Sequence, residues 1–216
     1  MEFGALDLTI LRHCEKAGDG LSDPLTARGA RDAERVAEAL LAEGIDAIFA
    51  SPYRRSQETI APFAARAGLE VRTDARLAEW FLSDAALAEI REHAPRIFAD
   101  RRYRAPWSET GAEVWARVSA ALADVAASGA RRPVLACHGG ILGCVLMNLA
   151  TRFRPEDWAD FHQPTLVRLH RGDWRRLALP EHGAADGRAD LGEARAHAGD
   201  AFEAESGAAR SRRGGA

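Results

Sequence analysis

Five consecutive residues, Pro133–Cys137 (PVLAC), carry no charged or amide side chain. A strand covered on one face alternates apolar and polar residues, whereas a strand without alternation is covered on both. This stretch therefore asks for a layer above the sheet and another below it. Leu8, Ile10 and Leu11 mark a similar buried strand over 6–12. DAIFAS at 46–51 reads as a second strand, LEVRTDARL at 69–77 as a third with a loop, and 133–137 becomes the fourth. Between them the apolar period changes to that of a helix. Ala33, Val36, Ala37, Leu40 and Leu41 share one face, with Thr26 placed to cap that helix and Gly44 to end it. Ser51-Pro52 opens a second helix running to about Ala67, the proline suiting an early helical position. Thr110 and Glu113 fit a capping box, and Val114, Val118, Leu122 and Val125 form an apolar face to about Ala127. GILGCVLMNLA at 140–150 reads as a buried helix. Residues 164–179 read as two strands joined at Gly172-Asp173. A short helix is predicted over 83–94 and a loop over 101–107.

Strands alternating with helices predict an α/β fold, a three-layer α/β/α arrangement around a largely parallel central sheet. The 216 residues suffice for one sizeable core. Residues 1–180 are expected to form that domain. Residues 181–216 hold only Leu191 and Phe202 as large apolar side chains, too few to offset the entropy of ordering. They read as a disordered tail, with a weak helix over 189–205. The net charge of −3 gives no reason to expect nucleic acid or a membrane surface as partner. No apolar run approaches the roughly 18 residues of a membrane span. The start MEFGALDLT lacks a signal-peptide pattern, and three cysteines make no disulfide framework, so the cytoplasm is the expected compartment.

In a parallel α/β sheet the ligand crevice lies beyond the carboxyl ends of the strands. That edge collects most of the chemistry-bearing residues. Arg12 and His13 end the first strand, with Glu15 and Lys16 beyond them at the rim; Arg54 and Arg55 follow the second; Glu79 follows the third; His138 ends the fourth. Glu109 stands where the long helix opens. Arginine forks match phosphate oxygens, and Gly139-Gly140 entering a helix presents backbone N–H groups to an anion. A neutral imidazole can act as a nucleophile that splits hydrolysis into two steps. Cys14 and Cys137 flank the two histidines, but strand alternation aims Cys137 away from His138, so no zinc site is expected.

The stretches LRHCEK, DPLTARG, SPYRRSQET, LAE and CHGG, in this order, resemble the histidine phosphatase superfamily and its phosphoglycerate mutase-like fold over roughly residues 6–179. The resemblance implies roles for individual residues. His13 matches the nucleophile that becomes phosphohistidine. Arg12 and Arg55 match phosphate-binding arginines, and Arg54 a variable position. Glu79 matches the proton donor, and His138 the second pocket histidine. Glu58 and Thr59 match a structural helix turn. The family needs no metal and no cofactor, and a small phosphorylated substrate is the implied partner. Cys14 stands where the family usually has glycine, and no asparagine follows a few residues on, as it does in the mutase branch. A phosphomonoesterase is therefore expected. Mutase-type phosphoryl transfer and a non-catalytic phospho-ligand binding module are the alternatives.

Overall fold

The computed structural model describes residues 6–80, 92–93, 96–97, 99–106 and 108–181. Most of the helix predicted over 83–94, Trp107 and, beyond Glu181, the predicted tail fall outside them. Six strands form one sheet: β1 (Asp7–Arg12), β2 (Ala47–Ala50), β3 (Val71–Thr73), β4 (Pro133–Cys137), β5 (Thr165–His170) and β6 (Asp173–Arg176), in the order β3-β2-β4-β1-β5-β6. The first four are mutually parallel, and β5 and β6 add an antiparallel edge. The α-helices whose bounds lie within the described residues are α1 (Ala27–Ala42), α2 (Arg54–Ala67), α3 (Gly111–Ala127), α4 (Gly139–Leu149) and the short α5 (Pro155–Ala159).

Pleat alternation sorts the side chains into two cores. Leu8, Ile10, Phe49, Leu135, Cys137 and Val167 pack with Val114, Val118 and Leu122 of α3 and Ile141, Leu142 and Val145 of α4. On the opposite face Leu11, Ile48, Ala50, Val134, Ala136 and Leu166 pack with Val36 and Leu40 of α1 and Ile60 and Phe63 of α2. Helices therefore cover both faces, as the continuous apolar β4 requires. Among the described residues no helix is long and apolar enough to cross a membrane.

The capping signals operate at atomic level. Thr26 accepts from the Gly29 amide, and Thr110 and Glu113 make a reciprocal capping box. Two readings need correction. His170 pairs with Asp173, so the β5–β6 hairpin turns on Arg171-Gly172, one residue earlier than predicted. A two-residue turn of this twist needs positive φ at both central residues, here 51° and 86°. Such positions favour glycine or a short polar residue, and arginine at the first of them is an unusual choice. Helix α5 was not predicted, although Pro155 at its first turn and Asp157, accepting from the Arg154 amide at 2.8 Å, are start signals.

The segment after His13 is fastened to α1. The Glu15 carbonyl accepts from the Thr26 amide at 3.0 Å, and Lys16 bridges to Leu25. Gly29 makes this approach possible, because a Cβ there would lie 2.1 Å from the Glu15 carbonyl oxygen. Backbone cannot rotate away as a side chain can. Gly29→Ala is expected to lower the unfolding free energy by about 1–3 kcal/mol despite the better helix propensity of alanine. Urea denaturation measures this; unchanged or raised stability would contradict the close approach.

Candidate active site

Arg12 and Cys137 are the last register partners of parallel β1 and β4. The His13 amide continues the ladder by donating to the Cys137 carbonyl at 3.0 Å. The next residues, His13 and His138, therefore stand side by side on one face. Their rings lie 5.2 Å apart, centroid to centroid, at 69°. They are only 3% and 0% exposed. Arg12 points to the other face, where its guanidinium donates to the Phe161 carbonyl. Gly139 leaves it room, since a Cβ there would come within 3.1 Å of the guanidinium carbon.

Each imidazole is held by a different partner. His13 Nδ1 lies 2.7 Å from the Cys14 carbonyl, an acceptor only, so the neutral ring carries its proton on Nδ1. Its Nε2 lone pair then accepts from Arg55 Nε at 3.2 Å. Burial, with Arg55, Arg12 and Lys16 nearby, holds the His13 pKa well below 6.5, although the Cys14 carbonyl favours the charged ring. His138 Nε2 meets the Ser51 hydroxyl at 2.7 Å. Burial, and then His13 and Arg55, push its pKa well down too. Both rings are therefore neutral at pH 7.

Arg55 enters from the first turn of α2. It donates to the Asp19 and Gly20 carbonyls at 3.2 and 3.0 Å and lies over the Tyr53 ring at 4.2 Å. Tyr53 in turn packs edge-on against His138 at 4.8 Å. Lys16, paired with Asp19, is half-buried; burial and the field of Arg55 lower its pKa to about 8. The Glu79 carboxylate accepts from the Trp80 and Gly140 amides at 2.7 and 3.1 Å. Burial raises its pKa, against the pull of these amides and of Arg12 and Arg55. Its backbone is clamped from α3: Arg117 donates to the carbonyls of Arg76, Ala78 and Glu79 at 2.6, 2.8 and 3.3 Å and pairs with Glu109.

Arg12, His13, Lys16, Arg55, Glu79, His138 and Gly139 thus gather at one strand-end site. Glu15 and Glu109 stand outside it. Glu15 faces Arg28 of α1 at 3.7 Å, and Glu109 belongs to Arg117. Arg54 pairs with Glu58 at 2.7 Å, and Glu58 also accepts from the Leu25 amide. Cys14 lies in the α1/α2 core and Cys137 in the α3/α4 core, on opposite faces of the sheet. Burial pushes the Cys14 thiol up to about 12, which keeps it protonated. Among the described residues no three His, Cys, Asp or Glu side chains group to hold a metal ion. Ser51 and Arg117 are the site residues the sequence reading passed over. Ser51 directly follows the second strand at the same edge as the histidines, and Arg117 borders the buried stripe of α3 beside Val118, signals that could have marked both.

A family model described as the histidine phosphatase superfamily (branch 1) matches residues 8–178. "Probable phosphoglycerate mutase GpmB" of Yersinia enterocolitica serotype O:8 is 33% identical over 160 residues, 67% of this chain and 74% of that protein. The solved mycobacterial glucosyl-3-phosphoglycerate phosphatase Rv2419c, in complex with VO3, is 26% identical with a TM-score of 0.62, covering 80% of this chain and 97% of that one. The alpha-ribazole phosphatase of Shigella flexneri, 19% identical with a TM-score of 0.59 over 81% and 95% of the two chains, shares the fold.

One hydroxyl braces the site from behind. Thr59 Oγ1 accepts from the Cys14 amide at 2.9 Å and donates to the Arg55 carbonyl at 2.7 Å. It therefore ties the His13 loop to the helix that carries Arg55. Thr59→Val keeps the shape but strands the buried Cys14 amide. It is expected to cost about 1–3 kcal/mol of stability. A wild-type denaturation midpoint in this variant would contradict the brace.

Proposed function

We propose that this chain, which belongs to the histidine phosphatase superfamily, hydrolyses small phosphomonoesters through a phosphohistidine formed on His13, without a metal ion or cofactor. The observation that carries this reading is the state of His13: a neutral ring, protonated on Nδ1, with its Nε2 lone pair turned toward Arg55 and the pocket. Arg12, Arg55 and Lys16 supply the positive charge that phosphoryl transfer needs. When a phosphoryl group enters, the Arg55 guanidinium turns from Nε2 to the phosphoryl oxygens and frees the lone pair. Nε2 attacks phosphorus as the P–O bond to the alcohol breaks. The developing imidazolium is stabilised by its Nδ1–H bond to the Cys14 carbonyl. Glu79, whose protonated form burial favours, gives its proton to the departing alkoxide. A water then attacks phosphorus and returns a proton to the Glu79 carboxylate. The P–N bond breaks, and phosphate leaves with His13 neutral again. His138 and the Gly139 amide face the oxygens of the transferred group, while the Gly140 amide holds Glu79. In this reading residues 1–180 are the catalytic domain, 181–216 a tail, and the enzyme works in the cytoplasm.

Relatives named as phosphatases of glucosyl-3-phosphoglycerate and alpha-ribazole phosphate support a small phosphorylated substrate. The mutase reading rests on the name of the GpmB relatives. It would need the phosphohistidine to be captured by a second substrate hydroxyl instead of water. Isomerisation of a phosphoglycerate without phosphate release would decide for it.

Wild-type enzyme is expected to release phosphate from p-nitrophenyl phosphate, with inhibition by vanadate and none by EDTA. His13→Ala is expected to abolish turnover; appreciable turnover by that variant would overturn the assignment.

The pH dependence follows from the two shifts. His13 must be neutral, so rate is lost as pH falls through its lowered pKa. Glu79 must be protonated, so rate is lost as pH rises through its raised one. Glu79→Gln is expected to remove the Glu79 part of the alkaline limb and leave only the loss of the Lys16 charge near pH 8. It should slow alkyl phosphates by about 100-fold or more and p-nitrophenyl phosphate, whose leaving group needs no acid, far less. Equal losses on both substrates would show that Glu79 is not the acid.

A further inference from the structure

We propose that Ser51 is a positioning residue that fixes the tautomer of His138, so that its Nδ1–H, together with Arg12 Nε–H, forms a paired donor site for the phosphoryl oxygens. This rests on the phosphatase reading for its ligand but not for its geometry.

Ser51 follows β2 and is fully buried. Its backbone is fixed on both sides: its amide donates to the Ala136 carbonyl at 2.9 Å, and its carbonyl accepts from Gln57 Nε2 at 2.6 Å. Among the described residues, two groups lie within reach of its hydroxyl. The Tyr53 amide, at 3.4 Å, can only donate. His138 Nε2, at 2.7 Å, is therefore the acceptor for the Ser51 proton. A buried hydroxyl gives its proton to an acceptor when one is in reach. With Nε2 occupied by that O–H, the neutral ring must carry its own proton on Nδ1.

That Nδ1 is buried and has no partner among the described residues, and Arg12 Nε is in the same condition. Two buried donors without acceptors are costly, which points to an acceptor that arrives with the ligand. Gly139, next to His138, brings them together at the strand end: a Cβ there would lie 3.2 Å from Arg12 Nε, so an anion with several oxygens can meet both. The opposite tautomer would present a lone pair to that anion and repel it. The two histidines therefore share one tautomer and expose opposite nitrogens. The Cys14 carbonyl leaves His13 with a free Nε2 lone pair for attack, while the Ser51 hydroxyl leaves His138 with a free N–H for binding.

The test uses the full chain labelled with 15N-histidine. Two-bond 1H–15N correlations show which ring nitrogen is protonated, and the His138 signals are identified by their loss in His138→Gln. Wild-type His138 is expected to carry its proton on Nδ1. Ser51→Ala removes one oxygen from a buried site and leaves the backbone contacts in place. It is expected to shift His138 toward protonation on Nε2 and to raise the inhibition constant of orthovanadate about tenfold. A role confined to packing would lower the melting temperature and leave the tautomer alone. Wild-type His138 protonated on Nε2, or a Ser51→Ala spectrum with the wild-type tautomer, would overturn the proposal. If the wild type neither binds vanadate nor turns over an aryl phosphate, the phosphatase reading fails, and the spectrum still decides the tautomer.

Discussion

The parallel register of β1 against β4 is the constraint on which the site depends. It pairs Arg12 with Cys137 and makes the next residue of each strand a histidine. Residues 125 positions apart in the chain are thereby set 5.2 Å apart, ring to ring. A slip of one residue in either strand would send one imidazole to the opposite face. The polar residues that bound the apolar run of β4, Arg132 before it and His138 after it, resist such a slip, because one of them would be drawn between the helix layers. The hydrophobic order of the sheet and the geometry of the site are one arrangement.

Burial then prepares these residues for chemistry. It strips water from groups of both signs and favours the neutral form of each acid or base. Burial thereby favours the unprotonated form of His13 and His138 and the protonated form of Glu79, the states that the proposed attack, binding and proton donation use. The arginines remain charged throughout. Fixed carbonyls and hydroxyls do the rest. The Cys14 carbonyl orients one ring, Thr59 braces the loop that carries it, and Arg117 holds the backbone of the segment that delivers Glu79. Together these partners hold the side chains that the proposed reaction uses.

Much of this was legible in the sequence. Strand ends closing on Arg12-His13 and on His138-Gly139 announce a site because polar groups interrupt runs that otherwise belong to the core. The Thr110–Glu113 capping box and the stripe from Val114 to Val125 locate α3 closely. What was missed depends on contacts distant in the chain. Glu15 looked like a rim ligand by proximity to His13, but the packing of Gly29 against its own carbonyl holds its backbone to α1, where its side chain meets Arg28. Arg117 becomes a clamp only once α3 lies against 76–79. Ser51 gains meaning only when β2 and β4 pair and bring it to His138. The hairpin at Arg171-Gly172 eluded the residue preferences because arginine there adopts a positive φ.

Membership of the histidine phosphatase superfamily supplies the class of chemistry, and the proposed route assigns it to particular residues of this chain. The most direct measurement of that route is rapid quench of the enzyme with a 32P-labelled phosphomonoester, followed by peptide mapping of the trapped protein. The expected result is an acid-labile phosphoryl label on the peptide containing His13, formed and discharged at rates compatible with turnover. Turnover without any label, or a label on a different residue, would contradict a phosphohistidine at that position.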